Sequence, residues 1–486
     1  MHKHKRLFLL LVTLLLVSCG QPGSDDVGPA TDITHESGTS TPNPATPTST
    51  ATQVPAQKRP RYEVSAELDY EAKVVSVEET VTYQNNTGTA LSNLVFAVEP
   101  NLWWQCFFLE SLTVNGDIND EYMLDGQRLE IALDEDLAPA DDITLKMVFD
   151  VRLPYIEIDD NEAIIRTQLF GYSFRQINLI DWFPLIVPYL PGGGWILNQQ
   201  NPGGYGEHMV YESADFYITM RFKNAPDLIV AASGPEDITE DSRNYQLEGG
   251  RDFVLSISPD FLVEQREMQG VTISSYYFPG SENSGIAAAE ITAQAMAVFN
   301  QLFEPYPHQS VSVVQNASAF AMEYDGLFFL NRQLYPANEA LEMITVHETA
   351  HLWWFGLVGN DQAVEPWLDE SMATYSERLY YEAQSPPRDD WWELTRLWEN
   401  EPQYWLDTPV DAFGRIYRYA VYLDGAVFLH EIRERIGDEA FFSFLKAYTA
   451  AFTYRVATTQ DFMDLLRTQS QTDISDIIDR YFHGTY

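Results

Sequence analysis

Cysteine is nearly missing from this chain: its 486 residues include 2, Cys19 and Cys106. Cys19 falls within the N-terminal export segment described below, which leaves Cys106 without a partner for an intramolecular disulfide, even in an oxidising compartment. Stability must come from packed cores. Basic residues are also scarce, with 29 Lys and Arg against 72 Asp and Glu and a net charge of −43. That balance argues against nucleic acid as a partner, since phosphates select Lys and Arg, and against electrostatic adhesion to anionic lipid. The longest early apolar run, Leu7 to Val17, falls short of the ~20 residues that a membrane-spanning helix needs. A phosphate-binding loop is excluded too, because "GGGW" at 192–195 lacks the following Lys-Ser/Thr. No internal repeat is evident. With 45% hydrophobic residues the chain is not short of core-forming material, so a globular body of two or three domains is expected.

The N-terminus reads "MHKHKRLFLLLVTLLLVSCG", with Lys3, Lys5 and Arg6 ahead of the apolar run, which is the layout of an export signal. Its end, "LVSC", resembles a lipobox, in which the cysteine is lipid-modified and becomes the mature N-terminus. Residues 1–19 are therefore predicted to be a lipoprotein signal peptide, with Cys19 anchoring the chain to a membrane from the extracytoplasmic side. Residues 20–61 include "TSTPNPATPTSTATQVPAQ", rich in Thr, Ser and Pro and poor in large apolar groups. Such a stretch cannot bury enough surface to offset chain entropy and reads as an extended tether.

From Tyr62 the apolar residues alternate. "YEVSAELDY" puts Val64, Ala66 and Leu68 on one face, and similar runs recur at "ITLKMVFDVRL", "DFYITMRF" and "FVLSISP", separated by Gly, Pro and Asp. Residues 62–268 read as an all-β domain, with "INLIDWFPLIVPYLPGGGW" as a shaped loop interrupting it. The period changes at "SGIAAAEITAQAMAVFNQLFEPYP", which reads as an amphipathic helix stopped by Pro305. Residues 269–486 are expected to form an α+β domain in which strands at "QSVSVVQ" and "GLFFLNRQLY" precede helices.

The most informative stretch is "HETAHLWWFGLVGNDQAVEPWLDES", residues 347–371. The run from Glu342 to Phe355 has no Gly or Pro and carries apolar residues at helical spacing, with a stop at Gly356. Four residues advance a helix by little more than one turn, so His347 and His351 project from one face and can reach one metal ion. Glu348 lies beside His347, where it can hold a water rather than the metal. A second helix-compatible segment starts at Trp367 and carries Glu370 in its first turn. An antiparallel return would deliver that carboxylate as a third ligand. Two imidazoles and one carboxylate with an open fourth position make a catalytic zinc site, with one Zn2+ per chain. Trp353 and Trp354 are expected to pack rather than to touch substrate.

"HETAH", the gap of residues 352–369 before Glu370, "WLDES" and the upstream "AMEYDG" together resemble the gluzincin metallopeptidases of the aminopeptidase N and leukotriene hydrolase family. The resemblance implies a saddle-like β domain followed by a thermolysin-like catalytic domain that is helical toward its C-terminus. It implies peptide substrates and hydrolysis by a zinc-activated water, with Glu348 as general base. It also assigns Tyr422, which precedes the Gly425 turn, to the oxyanion, and Tyr417 to the pocket wall. Glu377, two helical turns after Glu370, resembles a carboxylate that orients a zinc histidine. Glu323 resembles the anion that pairs with the substrate's α-ammonium, and Gln176 is the nearest β-domain candidate for the same amine. The chain departs from the family at Phe320, Tyr324 and Asp424, where Gly, Asn and Lys are usual. An aminopeptidase is the leading expectation. A zinc endopeptidase with the same site and a non-catalytic peptide-binding lipoprotein with a structural metal are the alternatives.

Overall fold

The computed structural model describes residues 58–156, 169–190, 192–199, 206–318, 321–336, 338–388, 391, 404–413, 416–470 and 472–486. The export signal, Cys19 and the tether up to residue 57 lie outside the described residues.

The alternating sequence after Tyr62 does build sheet. Strands Arg61–Asp69 and Val74–Gln84 pair antiparallel in register Arg61 to Thr82, and each buries every second residue. They sit inside an eight-stranded sheet that also holds Ala214–Lys223, Asp142–Arg152 and Phe107–Val114. Two four-stranded sheets complete the β-rich half, and the inward residues of all three merge into one apolar core. The segment expected to be a loop is more ordered than its composition suggests. It forms the short strands Ile177–Leu179, Leu185–Ile186, Tyr189–Leu190 and Gly194–Trp195, the first two fully buried. Pieces of two or three residues are too short for alternation to show in a sequence.

A separate five-stranded sheet starts at Leu262, ahead of residue 269. Its spatial order is Leu262–Met268, Val271–Tyr277, Ser310–Gln315, Leu327–Leu330 and Met322–Tyr324, so the strand carrying Glu323 lies at an edge. Helix α1 (Glu282–Leu302) lies between Val271–Tyr277 and Ser310–Gln315 in the chain, and after the last strand of this sheet come α2 (Asn338–Ala350), α3 (Trp367–Glu382), α4 (Gly425–Ile436), α5 (Asp438–Phe452) and α6 (Thr459–Ser470). Their apolar faces make a second core. Trp353 and Trp354 belong to it: Trp353 stands edge-on to Phe299, and the Trp354 indole N–H donates to Ser376 Oγ at 3.0 Å. The chain is thus an all-β half joined to a thermolysin-like α+β half.

Arg251 joins the two halves. Fully buried, its guanidinium donates to the carbonyls of Tyr211, Phe355, Leu357 and Arg455, while its backbone N–H reaches Asp325 Oδ2 at 3.1 Å. Gly359 is needed beside it, because a Cβ there would come within 2.3 Å of the guanidinium carbon. Arg251 therefore fixes the turn that follows the zinc-type helix. That turn corrects the expected helix end. α2 stops at Ala350 rather than Phe355, and the next residues use wider bonds, Gly356 N–H to the His351 carbonyl at 2.9 Å and Val358 N–H to the Trp353 carbonyl at 2.9 Å.

Candidate metal centre and active site

α2 and α3 pack against each other and place three ligand-type side chains together. His351 lies one residue beyond α2, yet its N–H still points to the His347 carbonyl at 3.4 Å, so the two imidazoles keep a common face. Their Nε2 atoms are 3.2 Å apart. Glu370, in the first turn of α3, brings Oε2 to 3.2 Å from His347 Nε2 and 3.4 Å from His351 Nε2. All three residues are buried. Ligand arms of about 2.1 Å at tetrahedral angles span edges of about 3.4 Å, so the triangle has the size zinc requires.

Hydrogen bonding on the far side of each ring fixes what faces inward. His347 Nδ1–H donates to Glu377 Oε1 at 2.8 Å, and His351 Nδ1–H donates to the Trp354 carbonyl at 2.9 Å. In its neutral form each Nε2 then carries a lone pair, and the two lone pairs and a carboxylate oxygen converge on one point. That donor set fits a cation. Electrostatics agree: burial opposes a charged His347, but bonding to Glu370 and Glu377 overcomes it and raises the imidazole to about 10. Burial likewise opposes charge on His351, and the carboxylates of Glu323 and Glu370 hold it well above the usual histidine range. Glu370 is held well below the carboxylate range, because its bonds to both histidines outweigh its burial. Among the described residues this is the one His, Cys, Asp and Glu group close enough to hold a metal.

Glu348 is buried beside the ligands, and burial pushes its carboxyl up to about 8 against the opposing pull of His347 and His351. Its Oε2 has no hydrogen-bond partner among the described residues. A carboxylate with one uncommitted oxygen and a raised proton affinity is suited to taking a proton from water.

The chain after α3 returns over the site in a single wide helical turn, Arg418–Asp424. This turn seats closely on α3: Ser371 Oγ donates to the Val421 carbonyl, and a Cβ on Gly425 would overlap Ser371 Oγ at 1.8 Å. Tyr422 is thereby laid parallel to the His347 ring, centroids 5.6 Å apart, with its hydroxyl donating to Glu370 Oε1. Tyr417 stands edge-on to Tyr422 at 5.9 Å and donates to Glu207 Oε2 at 3.4 Å. On the outer side of His347, the second oxygen of Glu377 accepts from the Trp391 indole N–H at 2.8 Å.

Glu323 is 4% exposed on the edge strand, and its charge acts on both His351 and Glu348. The expectation for Gln176 needs correcting. Its Oε1 accepts from Ala317 N–H at 2.9 Å and its Nε2 donates to Ser256 Oγ at 2.8 Å, so the amide braces the segment leading to Glu323. Both ends are committed within the protein. Sequence reasoning missed Gln362 and Asp369. Gln362 Nε2 bridges Glu323 Oε1 (3.1 Å) and Asp369 Oδ2 (2.7 Å), and Asp369 Oδ1 accepts from Glu370 N–H at 2.8 Å. Asp369 could have been found as the acidic neighbour of a ligand in the first turn of a helix. Gln362 lies in an irregular loop, where no spacing rule marks it.

Comparison with known proteins agrees with this geometry. Residues 287–481 match the peptidase family M1 domain. The chain is 29% identical over 235 residues to the mitochondrial aminopeptidase 2 of Saccharomyces cerevisiae, covering 43% of this chain and 24% of that protein. It is 27% identical over 299 residues to aminopeptidase N of Lactobacillus delbrueckii subsp. lactis, covering 54% and 35% respectively. The matched region thus spans between a quarter and about a third of these curated relatives. An M1 zinc metallopeptidase from Deinococcus radiodurans shares the fold with a TM-score of 0.61 at 20% identity, over 85% of this chain and 91% of that one. A mutant of that enzyme has been solved with a Tyr-Ser-Ala substrate.

Proposed function

We propose that the chain is a member of peptidase family M1 and acts as a zinc-dependent aminopeptidase that removes N-terminal residues from peptides. The observation carrying this reading is the buried Glu323 carboxylate beside the His347, His351 and Glu370 ligand set. When bound, zinc lowers the pKa of water toward neutrality and polarises a carbonyl. Glu348 accepts the proton of the attacking water and passes it to the leaving amine, for which its uncommitted Oε2 is free. The Tyr422 hydroxyl, held beside the ligands on Glu370, can turn to donate to the developing oxyanion. These groups act on any peptide bond. Restriction to the terminal one needs an anion for the free α-ammonium, and Glu323 supplies it through a charge-assisted hydrogen bond.

An acetylated N-terminus would leave the buried Glu323 carboxylate without a counter-charge, at a cost of several kcal/mol. Wild type is therefore expected to cleave a free peptide in strong preference to its N-acetylated twin, and Glu323→Ala to lose that preference. Equal cleavage of both twins by wild type would point to an endopeptidase. Location is a separate proposal, carried by the export signal and "LVSC": the protein is tethered outside the cytoplasmic membrane through Cys19. Cys19→Ser should move it out of the membrane fraction or leave it unprocessed; unchanged size and detergent partitioning would contradict lipidation.

A further inference from the structure

We propose that Gln362 is a second ligand for the substrate's α-ammonium, accepting one of its hydrogens on Oε1 while holding Glu323 in place with Nε2. This deepens the aminopeptidase reading and rests on it. Three observations lead here. Gln362 is 1% exposed, and Glu323 and Asp369, which it bridges, are also buried. Its Nε2 lies within hydrogen-bond distance of both carboxylates, at 3.1 and 2.7 Å. Its Oε1 is buried and has no hydrogen-bond partner among the described residues.

The orientation of the amide follows from its hydrogen bonds. The end of Gln362 between the two carboxyl groups is the NH2, whose two hydrogens are both used in donating to Glu323 Oε1 and Asp369 Oδ2. The carbonyl oxygen sits on the same carbon, next to the Glu323 carboxylate, and a buried acceptor without a donor carries the full desolvation cost. An ammonium group has three N–H donors. One pairs with Glu323 as salt bridge and hydrogen bond, a second can reach Gln362 Oε1, and the same cation balances the carboxylates that crowd this corner. A neutral acetamide at the same position offers one N–H and a bulky acyl group.

Gln362 also replaces the β-domain residue to which the sequence reading gave this task. Gln176 spends its amide on Ser256 and Ala317, whereas Gln362 keeps its acceptor uncommitted. Because Asp369 is joined to Glu370 through its backbone N–H, one amide couples the amine pocket to the ligand-bearing end of α3. Asp369 positions Gln362, and Gln362 touches substrate.

The test uses the zinc-loaded protein. Binding of free L-leucine, L-arginine and L-alanine and of their N-acetyl twins is measured by calorimetry in wild type, Gln362→Met and Gln362→Asn, the last withdrawing the same amide by one methylene. Turnover of a free peptide and its N-acetylated twin is measured in parallel. Loss of a hydrogen bond to a charged group is worth roughly ten- to hundredfold in affinity. Both variants are expected to lose that much affinity for the free amino acids and to raise KM for the free peptide by more than for the acetylated twin, so that the preference for the free amine falls. Zinc content and thermal unfolding establish that each variant is folded, and Gln362→Asn carries the test should Gln362→Met fail to fold. Free amino acids bound by folded variants as tightly as by wild type would overturn the proposal. So would an equal loss of rate on both twins, which marks a purely structural brace. A wild type that does not distinguish the twins would instead overturn the aminopeptidase reading, and this inference with it.

Discussion

Glu348→Gln is expected to bind zinc as wild type does and to turn over about 10²- to 10⁴-fold more slowly, the usual contribution of a positioned acid–base group. Nearly the same shape is kept, and the amide cannot take a proton from water or return one to the leaving amine. Ligation should survive because Glu348 is not among the converging donor atoms, which come from His347, His351 and Glu370. Its buried Oε2 faces no protein partner, so the substitution breaks no bond among the described residues. Metal content by elemental analysis and kcat with a free peptide separate the two effects. A Glu348→Gln protein that lacks zinc, or one with near wild-type kcat, would remove Glu348 from the role of base.

Zinc uptake by the metal-free protein should release at least one proton, because the imidazole pair holds one over the neutral range. His347 is raised to about 10, and the 3.2 Å between its Nε2 and that of His351 leaves room for one proton between the rings. Glu370 is held well below the carboxylate range and contributes none. Zinc must displace that proton, which gives the sign: affinity rises with pH by about tenfold per unit and levels off only above the imidazole value. Calorimetric zinc titrations in buffers of different ionisation enthalpy count the protons directly. Zinc binding with no proton release would show that the free site is neutral or that the ligands lie elsewhere.

Much of this centre was legible because helical spacing is a local property. His347 and His351 four apart on one face follow from a period of 3.6 residues, and Glu370 follows as the acidic residue in the first turn of the next helix, whereas Glu377 came from family resemblance. The alternating strands after Tyr62 were legible for the same reason, with a period of two. What failed depends on contacts between distant segments. α2 ends at Ala350 and the chain then widens its hydrogen bonding, where Arg251 from the β half draws in the carbonyls of Phe355 and Leu357. No residue in the run from Glu342 to Phe355 announces that. The partners of Gln176, Ser256 and Ala317, lie 80 and 141 positions away, so its neighbours in the chain do not show that its amide is committed within the protein. Gln362 escaped because its meaning comes from one carboxylate on an edge strand and another on α3. The places of Tyr417 and Tyr422 came from family resemblance, since 27 tyrosines give composition no means of choosing among them.

The most direct test of a zinc peptidase built on His347, His351 and Glu370 is turnover of one free peptide followed against zinc content, in wild type and His351→Ala. Wild type should carry about one zinc, lose zinc and activity together under chelator, and recover both on adding zinc, whereas His351→Ala should recover neither. Undiminished turnover by wild type stripped of its zinc, or full zinc and activity in His351→Ala, would contradict the assignment.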